Sequence, residues 1–372
     1  RKDYFPKVDK IGLDKFVEHG FEPILGWERK PHTQHHESGK FGKTSWHTNS
    51  IGARTNPNFE EIPSLISCFG DSFTFSRQVN DDETWEHCLS ELTGSNVLNW
   101  GVGNYGLDQA LLRLKAKYSA HPTKIVIVGV VPDTISRILG RWKHFYEYGN
   151  TFGFKPQFIL EGDKLLLLDN LVDNKDKFHQ IKEYHSLLKK TDFFYKEKFL
   201  DELISFPYIV SFTRNLKRNL SIVTRLVHGR LSNNFEMQFG KAFMKIMKIN
   251  LKWRVKLYKN KAATRLLKAL VDDLSEYSKA NNFVVILSFL PQKDDVLFAK
   301  KHYHFYKFFL DQVREKSLTF DLMDDLLRVD NIDDIYSDNN EYGGHYSALG
   351  NRLVAEKLYE FLNQNKLINN EG

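Results

Sequence analysis

In Ser64-Leu65-Ile66-Ser67-Cys68-Phe69-Gly70-Asp71-Ser72-Phe73-Thr74-Phe75, a short apolar run, Leu65 to Phe69, stops abruptly at Gly-Asp-Ser. A buried strand ending in Gly-Asp delivers the next side chain to the carboxyl edge of a sheet, where open α/β sheets place their ligands. Here that side chain is the hydroxyl of Ser72, a nucleophile if a base can reach it. By itself a Gly-Asp-Ser triplet is an ordinary turn signal, so the surrounding chain must carry the argument.

Downstream, Thr84 to Leu92 reads as a helix with Asp81 or Asp82 as N-cap. Val97-Leu98-Asn99 reads as a short strand, Asp108 to Tyr118 as a helix, and Ile125 to Val131 as a buried, β-branched parallel strand. Strand and helix alternating at these intervals predict a doubly wound α/β sheet. The pattern breaks over 141–280 and resumes with a strand at Phe283 to Phe289, a helix from Val296 to Glu315, a strand from Thr319 to Leu322 and a last helix from Ser347 to Asn363. The expected organisation is an extension over 1–63, an α/β domain over 64–140 and 281–365, and a basic, mainly helical insertion over 141–280.

The 372 residues, 41% hydrophobic and 14% aromatic, suit a folded chain with one large core and exclude a disordered one. Cys68 and Cys88 provide no disulfide framework and read as small core residues. The sequence shows no signal-like segment and no run of about eighteen apolar residues, which favours a cytoplasmic or membrane-peripheral location, although a chain beginning at Arg1 leaves the compartment open. His32, His35, His36 and His47 lack a carboxylate or cysteine at ligand spacing and read as surface histidines on a loop. The net charge of +6 is concentrated. Fifteen Lys or Arg lie between Ser205 and Lys268 against the single Glu236, and the remainder of the chain is net acidic.

A second candidate element comes late, in Ser337-Asp338-Asn339-Asn340-Glu341-Tyr342-Gly343-Gly344-His345-Tyr346-Ser347. A histidine in a glycine-flanked loop before a helix can swing its imidazole over a strand end, and the acids before it could orient it. Gly70-Asp71-Ser72, then Asn99-x-Gly101-x-x-Asn104, then this acidic loop with His345 resembles the SGNH or GDSL hydrolase family. The longer strings Phe69 to Phe75 and Asn99 to Gln109, with Phe154-Lys155-Pro156 and Gly344 to Ser347, resemble a subgroup associated with surface-polysaccharide genes. The resemblance spans about residues 45–160 and 283–362.

It implies a three-layer α/β/α sandwich with a mainly parallel, flavodoxin-like sheet, and a serine esterase acting on O-acyl groups of a carbohydrate through an acyl-enzyme. An O-acyltransferase on the same centre, or a silent relative binding polysaccharide or membrane, are the alternatives. By the same resemblance Ser72 is the nucleophile, His345 the base, and the backbone N–H groups of Ser72 and Asn104 the oxyanion hole. The family's third-block asparagine is missing from Gly129 to Arg137, so Thr134 or Arg137 would have to substitute. The position three before the histidine is Tyr342, so the acid is expected at Asp338, with Glu341 or a plain Ser–His dyad as alternatives. No metal or organic cofactor is implied, and the expected substrate is an acylated carbohydrate or another ester.

Within Leu203 to Val227 and Phe239 to Tyr258, apolar residues recur near helical spacing with basic residues between them. Two amphipathic helices packing on the domain account for this pattern. An anionic membrane surface or an acidic polysaccharide bound through 205–268 is the functional alternative. Nucleic acid is not expected, because no recognised binding module accompanies the charge.

Overall fold

The computed structural model describes residues 6–368. The chain divides into two compact units: one made of the residues up to Trp27 with Leu139–Ile159 and Leu166–Arg254, the other of Glu28–Ile138, Leu160–Leu165 and Val255 onward.

The second unit is built on a five-stranded sheet with strands β1 (Ser64–Gly70), β2 (Asn96–Asn99), β3 (Ile125–Val130), β4 (Val284–Phe289) and β5 (Leu318–Asp321). Their spatial order is β5-β4-β3-β1-β2 and every pairing is parallel. All six residues of β3 are buried. Successive side chains point to opposite faces, so both faces of this strand are covered. The helices Trp85–Thr93 and Ala348–Gln364 pack on each other, and so do Leu107–Lys117 and Lys261–Ala280. The α/β class with helices flanking a parallel sheet is therefore the observed one. Its strand order reverses between β1 and β3, and that switch point opens the crevice beyond the strand ends. Ser72 lies two residues past the end of β1.

Helix termini differ from expectation for local reasons. Thr84, not Asp81 or Asp82, caps Trp85–Thr93, accepting from His87 N–H at 3.0 Å. Asp81 is instead held by Arg54 at 3.0 Å and His47 at 2.7 Å. Ser347 caps the last helix through Gly350 N–H at 3.1 Å. The helix expected over Val296–Glu315 is two, Lys293–Lys301 and Lys307–Arg314. Its break at His302–Tyr306 lets Tyr306 bury fully and bond Asp321 at 2.9 Å. Helix Lys261–Ala280 is capped by Asn260 and buries Leu266, Leu267, Leu270, Val271 and Leu274 on one face. Each such leucine contributes about 1.5–3 kcal/mol. His35 and His36 lie on a strand of the hairpin Gln34–Gly39/Gly42–His47 rather than on a loop.

In the first unit the expected helix over Leu203–Val227 is interrupted, as Tyr208–Arg214 and Leu216–Leu231, followed by Phe235–Leu257. The reading of these helices as packed amphipaths fails for the Leu216–Leu231 helix. Leu216, Leu220, Val223, Val227 and Leu231 share one face at helical spacing, and all are exposed. Phe206, Tyr208, Ile209 and Val210 beside them in sequence are exposed too. No helix among the described residues is long and apolar enough to cross a membrane.

Candidate active site

Ser72 is reached from β1 through a turn that Asp71 organises. The Asp71 carboxylate accepts from Phe73 N–H at 2.8 Å, Val131 N–H at 2.9 Å and Arg137 Nη1 at 3.0 Å. It thus ties the ends of β1 and β3 together across the switch point. Burial raises its pKa, and Arg137 and the amide donors oppose that. Asn99 braces the next loop: its side chain donates to Thr74 O at 2.8 Å and accepts from Gly101 N–H at 3.0 Å. Glycine is required at 101, because a Cβ there would stand 2.3 Å from Phe75 N. The loop then turns at Asn104, where φ is +67°, a left-handed conformation asparagine tolerates better than most residues.

These contacts leave the Ser72 hydroxyl, its N–H and the N–H of Asn104 without a hydrogen bond among the described residues. Two unspent backbone donors near a buried hydroxyl are what an oxyanion hole needs. Thr134 Oγ1 accepts from Leu107 N–H at 2.8 Å, and Arg137 bonds Asp71 and Tyr105 O.

His345 is brought over the residue after the serine, its ring 5.0 Å from that of Phe73. Its Nδ1 does not meet Asp338 or Glu341. It meets the side-chain oxygen of Gln78 at 2.8 Å. That oxygen also accepts from His345 N–H at 3.0 Å and Ser337 Oγ at 2.8 Å. Three converging donors identify the acceptor as the amide oxygen, so Nδ1 carries the proton and Nε2 keeps its lone pair. Asp338 instead closes its own loop, donating from its N–H to Gly343 O at 2.8 Å, and Glu341 is exposed. The glycines are needed for this closure. Gly344 has φ +69°, and a Cβ on it would lie 2.6–2.8 Å from Asp338, Ser337 and Gln78. No hydrogen bond links Ser72 to His345 in this conformation.

Sequence reading missed Gln78. It sits six residues past the serine with φ +68°, after Ser76 at φ +55°. Two left-handed residues close together were not legible as a turn that re-aims a side chain.

The surroundings are cationic. Arg77 forks onto Glu37 with two bonds of 2.8 Å. Burial works against charge on Glu37, but Arg77 and Trp46 outweigh it and hold the carboxyl below its ordinary range. Burial, aided by Arg77 and more weakly by Arg137 and Arg29, pulls His345 down to about 3. The imidazole is therefore neutral at physiological pH. A separate depression of about 320 Å³, lined by Lys43, Asn80, Glu83 and Leu349, shares Gln78 but includes neither Ser72 nor His345. Among the described residues no group of His, Cys, Asp or Glu is arranged to hold a metal.

No family model and no curated protein matches the chain. Among solved structures it is similar to a protein assigned to the G-D-S-L lipolytic family from Desulfitobacterium hafniense, with 15% identity, coverage of 80% and 98% of the two chains, and a TM-score of 0.35. It is also similar to an acetylxylan esterase from Geobacillus stearothermophilus, in a catalytic-mutant form, at 10% identity, 83% and 96% coverage and a TM-score of 0.33. The esterase EstA from Pseudoalteromonas gives 11%, 81% and 98%, and 0.34. These are loose superpositions.

Proposed function

We propose that the protein is a serine esterase in which Ser72 attacks an ester carbonyl and His345 takes its proton. The observation that carries this reading is an unspent Ser72 hydroxyl and N–H beside Phe73, whose ring lies 5.0 Å from that of His345, an imidazole whose tautomer is set by Gln78. Attack forms a tetrahedral oxyanion, received by the N–H groups of Ser72 and Asn104. Each such donor is worth roughly a hundred- to a thousand-fold in rate. His345 Nε2 accepts the Ser72 proton and returns it to the departing alcohol, leaving an acyl-enzyme that water hydrolyses. A sugar hydroxyl in place of water would make the same centre an acyltransferase.

An O-acetyl group on a carbohydrate is the substrate we favour, on the motif resemblance of Gly70 to Ser72, Asn99 to Asn104 and His345. Release of p-nitrophenol from p-nitrophenyl acetate tests the centre. Turnover lost in both Ser72→Ala and His345→Ala supports it, and background rates in the wild type sink it in favour of a silent relative.

The basic helices support a second role, docking on an anionic lipid surface. The exposed face of Leu216, Leu220, Val223, Val227 and Leu231 is flanked by exposed Arg214, Lys217 and Arg230. An apolar stripe bordered by cations matches the boundary between anionic headgroups and acyl chains.

A further inference from the structure

Five arginines lie around the serine turn, and four have their charge answered. Arg54 bonds Asp81 and the carbonyls of Phe75, Ser76 and Val79. Arg77 is forked onto Glu37, Arg113 bonds Glu28 and Trp100 O, and Arg137 bonds Asp71. Arg29 differs. Its guanidinium lies 4.5 Å from the ring centre of Trp46 and 4.7 Å from that of Phe75. Its Nε is sealed from solvent with no acceptor, and no hydrogen bond or ion pair to its guanidinium occurs among the described residues. Trp46 is itself pinned, donating to Glu37 at 3.0 Å. Burial, then Arg77, lowers Arg29 to about 10, so it stays charged at neutral pH.

Sealing Nε without an acceptor is unfavourable and the two rings offset only part of that cost, while the terminal nitrogens of this half-buried side chain are not sealed. The group is held beside the serine turn. A Cβ on Gly103 would stand 3.6 Å from Arg29 Nη2 and 4.0 Å from Ser72 Cβ. Because residue 103 is glycine, that space is open between the guanidinium and the nucleophile. A ligand over Gly103 would touch both.

We propose that Arg29 binds an anionic group of the substrate, a carboxylate close to the scissile ester, so that the protein selects esters of acidic sugars over neutral ones. The planar guanidinium accepts a carboxylate on its free edge while it stays against the adjoining rings of Trp46 and Phe75. The bound anion also offsets the cationic field that disfavours the His345 imidazolium, so it aids proton transfer as well as binding. This proposal rests on the esterase reading of Ser72 and deepens it.

The test compares a mono-O-acetylated glucuronic acid with the corresponding glucuronamide, which keeps the shape and removes the charge. The wild type is expected to favour the acid in kcat/KM by about 10- to 100-fold, the range of one charge-assisted contact. Arg29→Met should abolish the preference, and Arg29→Lys, which keeps the charge and not the stacking plane, should restore part of it. Equal kcat/KM for acid and amide in the wild type overturns the proposal. So does an equal loss on both in Arg29→Met, which would make Arg29 an oxyanion donor.

Calorimetric binding of both compounds to Ser72→Ala separates the two readings. Tighter binding of the acid, lost when Arg29→Met is added, upholds the anion site even if no variant turns over and the esterase reading has failed. Equal binding of the two compounds overturns the anion site whatever the turnover.

Discussion

The side-chain oxygen of Gln78 stands 2.8 Å from Nδ1 of His345, where a carboxylate would complete a charged triad. A neutral amide keeps the imidazole in the useful tautomer but adds no charge to stabilise the imidazolium.

Gln78→Glu is therefore expected to raise both the pKa of His345 and kcat on p-nitrophenyl acetate, by about tenfold at neutral pH. The acid limb of the pH–rate profile should move upward, because activity is lost as the pH falls through the higher pKa. Gln78→Leu leaves Nδ1–H of His345 without its acceptor, while the Ser337 hydroxyl and the His345 backbone keep their bonds to each other, and should lower kcat by about a hundredfold. A pH–rate profile of the two variants checks both directions.

Burial of His345 should also show in stability. Its folded pKa of about 3 lies below the unfolded value near 6.5. Between these values the unfolded chain binds the extra proton, so stability falls as the pH drops below about 6.5. The loss should reach about 2 kcal/mol by pH 5, at roughly 1.4 kcal/mol per pH unit. His345→Gln, which cannot titrate, should show a smaller fall in Tm between pH 7 and pH 5 than the wild type.

Arg54 joins Asp81 to three backbone carbonyls of the turn after Ser72, and it is almost wholly buried. Arg54→Met leaves the carbonyls of Phe75, Ser76 and Val79 without their donor and Asp81 with His47 alone, and should cost about 3–5 kcal/mol in denaturant unfolding. Activity should fall with it, since Phe75 to Val79 carry the peptide that presents Gln78.

Leu220→Glu with Val227→Glu alters only exposed positions and should change Tm little. Cosedimentation of the wild type with vesicles rich in phosphatidylglycerol should fall with added salt and fall further in the double variant. Binding to neutral vesicles that equals binding to anionic ones, or retention in the double variant, would remove the lipid role. Binding of an acidic polysaccharide in place of vesicles would reassign the face.

The sheet was legible in the sequence, because strands such as Ile125–Val130 and Val284–Phe289 are continuous apolar, β-branched runs. Such runs suit a parallel sheet covered on both faces. Ser72 was legible as a candidate because Gly70-Asp71 marks the strand end, and His345 because glycines precede a helix start. Both were read from chain-local patterns.

The partner of His345 was not local. Asp338 and Glu341 lie near it in sequence, but the Gly343-Gly344 turn and the left-handed residues at Ser76 and Gln78 bring a side chain from 267 positions away instead. Arg29 is likewise ordinary in sequence, one of many basic residues in a polar segment. Only the packing of Trp46 and Phe75 against it, with Gly103 beside it, makes it a half-buried charge whose Nε is sealed without an acceptor. Amphipathic spacing in Leu216–Leu231 was legible as well, but spacing says only that a helix has an apolar face. Whether that face is covered depends on what the rest of the chain places against it, and among the described residues it is left open. Local propensity thus determined the strands and the motif positions, whereas long-range packing decided which groups meet and which charge stays unpaired.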